Sequence, residues 1–368
     1  MTSRERMMAA FRIQSVDHFP LQVRGVRAWD EQWCENCDPS YIPAIEVVAE
    51  HGDFELGWGA GGGLLMTASD ALSSVTRTVD EGDWIRHITT WTTPAGEMTS
   101  VRRSSTRGLP GLQIEFPVKT LADVEKVLSV PWVPPRPDCS GFAAVDQELR
   151  ERGIVMGSVP LPVSSIHALT GSDLLAIWSI TDRQVIRRLT EVFLERSLDL
   201  LDWMILQGVG PVFATSGEEY LAPPLAGPRD FHEFVTEPGR AIGEHIHKAG
   251  MLRHVHCHGS ISAILEDFAE MGANCLHPIE APPLGDLPFA EAKRRIGDRV
   301  CLEGNTQIGD IYHDPTDVFV EKVKRTIEVG EPGGGFILAP SASPHTAVLT
   351  DQTVRNYVAL VETAAEMW

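Results

Sequence analysis

Eight short apolar runs, most of them separated by helical patterns, constrain the fold of this chain more than any other feature. The runs occupy residues 18–25, 52–58, 153–160, 210–217, 250–259, 273–280, 298–305 and 334–341. Between them, residues 183–208, 260–273 and 315–330 place apolar side chains at three- and four-residue spacing, which is typical of helices. Strand–helix alternation predicts parallel strands. We therefore predict an α/β fold with a (β/α)8 TIM barrel over residues 1–368, and an open doubly wound sheet is the alternative.

Residues 75–118 interrupt this rhythm. Polar and apolar side chains alternate there around the turn sequences DEGD and TPAG. That pattern predicts an antiparallel hairpin excursion within the barrel domain. The proline-rich stretch 130–141 is interpreted as a connector.

Charge and composition exclude several classes of partner. The formal net charge of −20 argues against nucleic acid, because phosphate binding requires a basic surface. The sequence has no run of 18 apolar residues and no signal-peptide pattern, so neither a membrane span nor secretion is expected. The six scattered cysteines do not resemble a disulfide framework, which favours a cytoplasmic location.

The hexapeptide HVHCHG is the most informative motif. Alternate residues of a strand face the same side, so His254, His256 and His258 project together and Cys257 projects into the core. Two imidazoles on the inner face at a strand's C-terminal end form half of a divalent metal site, and His256 and His258 are the predicted pair. For His254, a hydrogen-bonded core position is the favoured interpretation.

Glu219 follows the apolar run 210–217 and is the predicted third ligand or a catalytic carboxylate; a solvated loop position is the alternative. Two imidazoles and one carboxylate leave a coordination position open for a substrate. The predicted ion is zinc, because imidazole dominates this ligand set.

Five further polar residues lie at strand ends. Glu280 is positioned to orient a metal-bound imidazole or to bind substrate, and His345 to complete the metal site or to act as a base. Arg24, and after it Arg27, are the predicted clamps for a substrate carboxylate. Asn305 is suited to positioning a substrate. Exposed loop or turn positions are the alternative for His345, Arg27 and Asn305.

The ordered motifs resemble the uroporphyrinogen decarboxylase superfamily, which includes zinc-dependent methyltransferases that take methyl groups from corrinoid proteins. The segments that carry the resemblance are VDHFP (16–20), IEFPVKTLADVEKVL (114–128), EEYLAPPLAGPRDFHEFVTEP (218–238), HCHG (256–259), HPIEAPPLGDLPFAEAKRRIGDRVCLEGN (277–305) and GGFILAPSASPH (334–345). The resemblance implies a barrel enzyme that acts on a small molecule. It also implies a corrinoid protein as a possible methyl donor. The oligomeric state is left open by the sequence, and a homodimer is one possibility.

Two departures from the superfamily pattern bear on the reaction. The methyltransferase motif H-x-C-G reads His256-Cys257-His258-Gly259 here, and the later A-P-G-C motif ends in Ala342, so imidazole replaces thiolate. The arginine-rich motif of the decarboxylase is replaced by VRGVRAW, in which Arg24 and Arg27 have a different spacing. The first hypothesis is therefore zinc-assisted methyl or other group transfer. Metal-independent decarboxylation or a related lyase reaction is the alternative, and a non-catalytic binding protein is the third.

Overall fold

The computed structural model describes residues 1–107 and 109–368, which form a parallel sheet surrounded by helices and a separate antiparallel sheet. The strands are β1 (Phe54–Trp58), β2 (Ser73–Asp80), β3 (Trp84–Thr93), β4 (Gly96–Ser105), β5 (Leu112–Glu115), β6 (Gly153–Ser158), β7 (Val212–Ser216), β8 (Leu252–His256), β9 (Cys275–His277), β10 (Cys301–Thr306) and β11 (Phe336–Pro340). The parallel sheet has seven strands in the order β1-β6-β7-β8-β9-β10-β11. The prediction of parallel strands is thereby confirmed for seven of the eight apolar runs.

The first apolar run does not form an extended strand. Leu21 makes a single parallel bridge with Leu338 of β11. On its other side, the carboxylate of Asp53 accepts the N–H of Leu21 at 2.9 Å, and the carbonyl of Leu21 accepts the N–H of Asp53 at 2.7 Å. The side chain of Asp53 therefore takes the place of a further backbone hydrogen bond between this segment and β1.

Helices connect the parallel strands and cover the outer face of the sheet. They are α1 (Ser3–Phe11), α2 (Glu31–Asn36), α3 (Ile42–His51), α4 (Leu121–Leu128), α5 (Ser140–Leu149), α6 (Pro162–Thr181), α7 (Arg183–Leu206), α8 (Pro228–Phe231), α9 (Glu237–Lys248), α10 (Leu265–Glu270), α11 (Phe289–Ile296), α12 (Ile308–His313), α13 (Thr316–Gly330) and α14 (Asp351–Glu366). The predicted helices at 183–208 and 315–330 are confirmed as α7 and α13, whereas the pattern at 260–273 forms only a short 3-10 turn and α10. Across the described residues, no helix is long and apolar enough to cross a bilayer.

The hairpin excursion is confirmed as a four-stranded antiparallel sheet in the order β2-β3-β4-β5. Strands β2 and β3 pair from Ser73 opposite Thr92 to Asp80 opposite Ile85, which places the DEGD turn at their junction. The connector at residues 130–139 has no regular secondary structure, as its prolines predict.

Alternation along β8 decides which side chains reach the interior of the curved sheet. Leu252 packs in the interior apolar cluster with α1, and the ring of His254 stacks on Phe11 at a centroid distance of 5.9 Å. Between them, Arg253 points outward and donates to the carbonyl of Gly239 in α9. Helix α1 therefore closes the interior from the N-terminal side of the strands, and polar side chains lie above it.

The N-terminus of α14 offers a test of local stability. The side chain of Thr350 accepts the N–H of Thr353 at 3.2 Å and so satisfies a donor that the helix leaves unpaired. We expect Thr350→Ala to lower the free energy of unfolding by about 1 kcal/mol. Urea unfolding monitored by circular dichroism measures this change; Thr350→Ser should be near neutral, and an equal loss in both variants would contradict the capping role.

Candidate active site

A cavity of about 350 Å³ opens where the parallel strands end at their carboxyl side. The cavity is lined by residues 22–27, by residues 54–57 of β1 and by the C-terminal halves of β6, β7 and β8, and Ser343 contributes from the loop after β11. Carboxyl ends of parallel strands are the usual position of active sites in such folds. The cavity is therefore the candidate active site.

His256 lies at the end of β8, in register with His277 at the end of β9. The Nε2–H of His277 donates to the backbone carbonyl of Pro340 at 3.0 Å, and the two Nδ1 atoms of His277 and His256 lie 2.8 Å apart. Burial lowers the pKa of His277 to about 4, so its Nδ1 is a bare acceptor near neutral pH. His256 must then donate from Nδ1, which leaves its Nε2 lone pair free.

Burial, reinforced by the neighbouring imidazoles and the charge of Arg24, also holds the pKa of His256 well below its usual value. His256 is thus a neutral imidazole whose tautomer is set by the partner at Nδ1. A neutral imidazole with its other ring nitrogen hydrogen-bonded is the form in which histidine binds metals.

His258 is held in an equivalent way by Glu280. The Nδ1 of His258 lies 3.2 Å from Oε2 of Glu280, and that oxygen also accepts the N–H of Gly259 at 2.8 Å. Burial alone would raise the pKa of Glu280, but these hydrogen bonds lower it below its usual value, so Glu280 is a carboxylate. His258 therefore donates from Nδ1 to Glu280. Its ring centroid lies 4.7 Å from that of His256.

Glu219 follows β7 in the 3-10 turn Glu218–Leu221, beside the His258–Glu280 pair. Its Oε2 is buried without a hydrogen-bond partner, and burial raises the pKa of this carboxyl. The neighbouring His258 lowers the pKa of Glu219, and the charge of Glu280 raises it. Glu219 thus offers a free carboxylate oxygen at the edge of the site.

Arg24 and Arg27 both line the cavity. The positive charge of Arg24 acts on the buried carboxylates Glu55 and Glu303. The side chain of Arg27 is 54% exposed and lies 3.8 Å from Asp30. The structure therefore places Arg24 within the polar interior and Arg27 at the entrance.

Asn305 and His345 lie apart from these residues. The amide oxygen of Asn305 accepts from Thr326 of α13 at 3.4 Å, and Asn305 lines a separate cavity beside that helix. His345 is exposed, and its ring stacks on Tyr312 at a centroid distance of 4.2 Å. For these two residues, roles in substrate positioning and base catalysis remain predictions that no contact with the main cavity supports.

Glu55 and His254 line the floor of the cavity, and Glu303 of β10 contacts His254 beneath it. The Nε2 of His254 lies 2.9 Å from Oε2 of Glu303 and 4.0 Å from Oε2 of Glu55. Burial and the charge of Glu303 raise the pKa of Glu55. Burial opposes ionisation of Glu303 as well, but His277 and His254 lower the pKa of Glu303 below its usual value. Glu303 is therefore ionised and Glu55 is protonated.

Within the described residues, two groups of potential metal ligands converge to within 4.8 Å of one another. They are His254, Cys275 and Glu303 in the interior, and His232, Asp267 and Glu270 at the surface. The predicted set of His256, His258 and Glu219 is not among them, so these three ligand atoms do not all meet at that distance as the side chains stand.

Comparisons with known proteins place these features in a family. The family model described as uroporphyrinogen decarboxylase (URO-D) matches residues 113–367. The chain belongs to the uroporphyrinogen decarboxylase family. A solved structure described as a methyltransferase from Methanosarcina mazei has a similar fold, with a TM-score of 0.63 and 17% identity over 100% of this chain and 99% of that one. No curated protein matches the sequence. The resemblance drawn from the sequence motifs is thereby confirmed.

Four polar residues of this uroporphyrinogen decarboxylase family member had no place in the sequence-based metal site: Glu55, Cys275, His277 and Glu303. They lie within or at the ends of short strands flanked by apolar residues, and each faces the interior. The two-residue alternation of strands could have identified these residues as facing inward. A charged residue on the inner face of a buried strand is costly without a partner, so each of them indicates a nearby polar contact. Their partners lie on other strands, which only the register of the sheet reveals.

Proposed function

We propose that this uroporphyrinogen decarboxylase family member catalyses metal-assisted transfer of a methyl group, or a related group, to a small-molecule acceptor. One observation carries the proposal: His256 and His258 each have Nδ1 bound to an acceptor, which leaves Nε2 of both imidazoles free, and His256 lines the cavity of the candidate active site. Metal-binding histidines characteristically have this arrangement.

The residues fit zinc or another borderline divalent ion. Neutral imidazoles and carboxylates are usual ligands of zinc. The Oε2 of Glu219 is buried without a hydrogen-bond partner and could supply the carboxylate oxygen. Glu280 would orient His258 rather than bind the ion, and His277 would orient His256. When bound, zinc would supply Lewis acidity that stabilises a deprotonated acceptor atom.

The other residues of the cavity then have defined tasks. Arg24 would hold an anionic group of the acceptor, because its planar guanidinium matches a carboxylate with two hydrogen bonds. The similarity in fold to a methyltransferase supports methyl as the transferred group. A corrinoid protein is the proposed methyl donor. We further propose that residues 20–22 complete a closed eight-stranded barrel, which the bonds of Leu21 on both sides support.

A second candidate is metal-independent decarboxylation of a carboxylated substrate. It is favoured by the position of Arg24, a clamp for anions, in the same cavity as Glu55, whose raised pKa keeps a proton available for a developing carbanion. In this case Arg24→Lys should weaken binding of a dicarboxylate such as succinate by about 1.5–3 kcal/mol. Isothermal titration measures the change, and unchanged affinity would remove Arg24 from this role.

Methylcobalamin, used as a surrogate for the corrinoid protein, tests the first candidate directly. We expect the zinc-loaded protein to demethylate it in the presence of small thiols, which visible absorption follows, and we expect chelation or His256→Ala to abolish the reaction. His313→Ala is a matched control, because His313 is exposed at the end of α12. Full activity in the chelated protein would favour a metal-independent reaction instead.

A further inference from the structure

A second cluster of potential metal ligands lies below the His256–His258 pair, inside the curved sheet. It contains His254 of β8, Cys275 of β9, Glu303 of β10 and Glu55 of β1, which therefore come from four different strands. None of these side chains is a ligand in the zinc site proposed above.

The distances within this cluster suit a small cation. Oε2 of Glu303 lies 2.9 Å from Nε2 of His254 and 3.8 Å from Sγ of Cys275, and Oε2 of Glu55 lies 4.0 Å from Nε2 of His254. Ligand atoms on a tetrahedral zinc ion with bonds of about 2.0–2.3 Å are separated by roughly 3.3–3.8 Å. The ligand atoms of His254, Cys275 and Glu303 already lie within 4.8 Å of one another, and Glu55 has to move closer to join them.

Three carboxyl oxygens of the cluster are buried without a hydrogen-bond partner. Both oxygens of Glu55 and Oε1 of Glu303 are buried without a hydrogen bond, and the side chains are 2% and 0% exposed. A buried carboxyl without a partner is costly. Arg24 contributes positive charge nearby, but no hydrogen bond to these oxygens is formed. The cluster therefore has three free acceptor atoms that a cation could use.

We propose that His254, Cys275, Glu303 and Glu55 form a second, interior binding site for a borderline divalent metal ion such as zinc. An ion here takes one nitrogen, one sulfur and two oxygen ligands, which is a mixed set that zinc accepts and that magnesium and calcium do not. Binding deprotonates the thiol of Cys275 and the carboxyl of Glu55, and both protons pass to solvent.

The position of the site gives it access from the active-site cavity. Glu55 and His254 line the floor of that cavity, so an ion can enter from the open side. On the opposite side, the ring of Phe11 stacks on His254 and closes the interior. The bound ion lies at the base of the cavity, where it also attracts an anionic or electron-rich part of a ligand.

Cobalt substitution distinguishes this site from the upper one, because only the interior site contains a thiolate. We expect the metal-free protein titrated with Co²⁺ to develop the near-ultraviolet sulfur-to-cobalt charge-transfer band with about one equivalent of metal. Cys275→Ser should abolish the band, and Glu303→Gln should weaken cobalt binding at least tenfold. His256→Ala should leave the band intact. The interior-site proposal can therefore hold even if His256 and His258 bind no metal. The proposal for His256 and His258 can likewise hold even if the interior cluster binds none.

Cys139→Ser is the matched control, because Cys139 is a buried thiol outside the sheet interior, and this variant should retain the band. If Cys275→Ser does not fold, the wild-type titration and Glu303→Gln still decide the question. The absence of a thiolate band in the wild-type protein at saturating cobalt overturns the proposal, as does a band that persists in folded Cys275→Ser.

Discussion

Replacing His256 with alanine is expected to abolish retention of one metal equivalent, the ion of the proposed active-site zinc centre. In the proposed zinc site, His256 is one of two imidazole ligands and no neighbour can replace it, because the Nδ1 of His277 faces Nδ1 of His256 rather than the cavity. Glu280→Gln should have a smaller effect, a loss of about 10–100-fold in affinity, because the amide still accepts a hydrogen bond from His258 but no longer adds its charge.

Zinc content after gel filtration without chelators, together with competition against a chromophoric chelator, measures both effects. His313→Ala should behave as wild type. The thiolate band of the interior site reports separately whether a remaining equivalent belongs there. Equal losses in His256→Ala and Glu280→Gln would contradict the assignment of direct and supporting roles, and an unchanged metal content in His256→Ala would exclude His256 as a ligand.

Removing the carboxylate of Glu218 is expected to destabilise the fold by about 3–5 kcal/mol, because it leaves Arg253 as an uncompensated buried charge. Both side chains are fully buried, with NH2 of Arg253 at 3.6 Å from Oε1 of Glu218. The guanidinium also donates to the carbonyls of Gly239 and Met271 at 2.6 and 2.7 Å, and to Thr215 at 3.0 Å. Burial lowers the pKa of Arg253 to about 10 and raises that of Glu218 to about 7, so at neutral pH Arg253 is charged and Glu218 is partly ionised.

Guanidinium unfolding of Glu218→Ala measures this loss. Asp199→Ala is the control, because the Asp199–Arg136 pair is directly hydrogen-bonded but has side-chain exposures of 25% and 41%. Exposed pairs contribute little, so the control should lose less than about 1 kcal/mol. Similar losses in the two variants would show that the buried pair has no special role in stability.

The parallel strands could be predicted because buried strands leave a clear pattern of apolar runs. The extents of two of the strands could not be predicted in this way. The run at 273–280 forms only Cys275–His277, since Pro278 has no N–H for the ladder. The first run makes one bridge, because the Asp53 side chain takes the N–H of Leu21, a contact between residues that are 32 positions apart.

Prediction of the site was limited by the same dependence on distant contacts. His256 and His258 belong to one motif, so their proximity follows from the sequence alone. The partners that set their tautomers, His277 and Glu280, lie 21 and 22 positions away, and the alignment of β8 with β9 decides the contact between His256 and His277. Asn305 lies two residues after the inward-facing Glu303, so strand alternation predicts that it also faces inward. The alternation ends at Gly304, which has a φ of 147°, and Asn305 contacts α13 instead.

The most direct test of the metal-site proposal is an anomalous difference map from crystals grown with zinc, recorded on both sides of the zinc absorption edge. We predict a peak about 2.0–2.1 Å from Nε2 of both His256 and His258, with a carboxylate oxygen of Glu219 completing the protein ligands. A peak at the interior cluster would be additional to this one. A map with no peak at the two imidazoles, or with zinc only at the surface group of His232, Asp267 and Glu270, would contradict the proposed metal-assisted function.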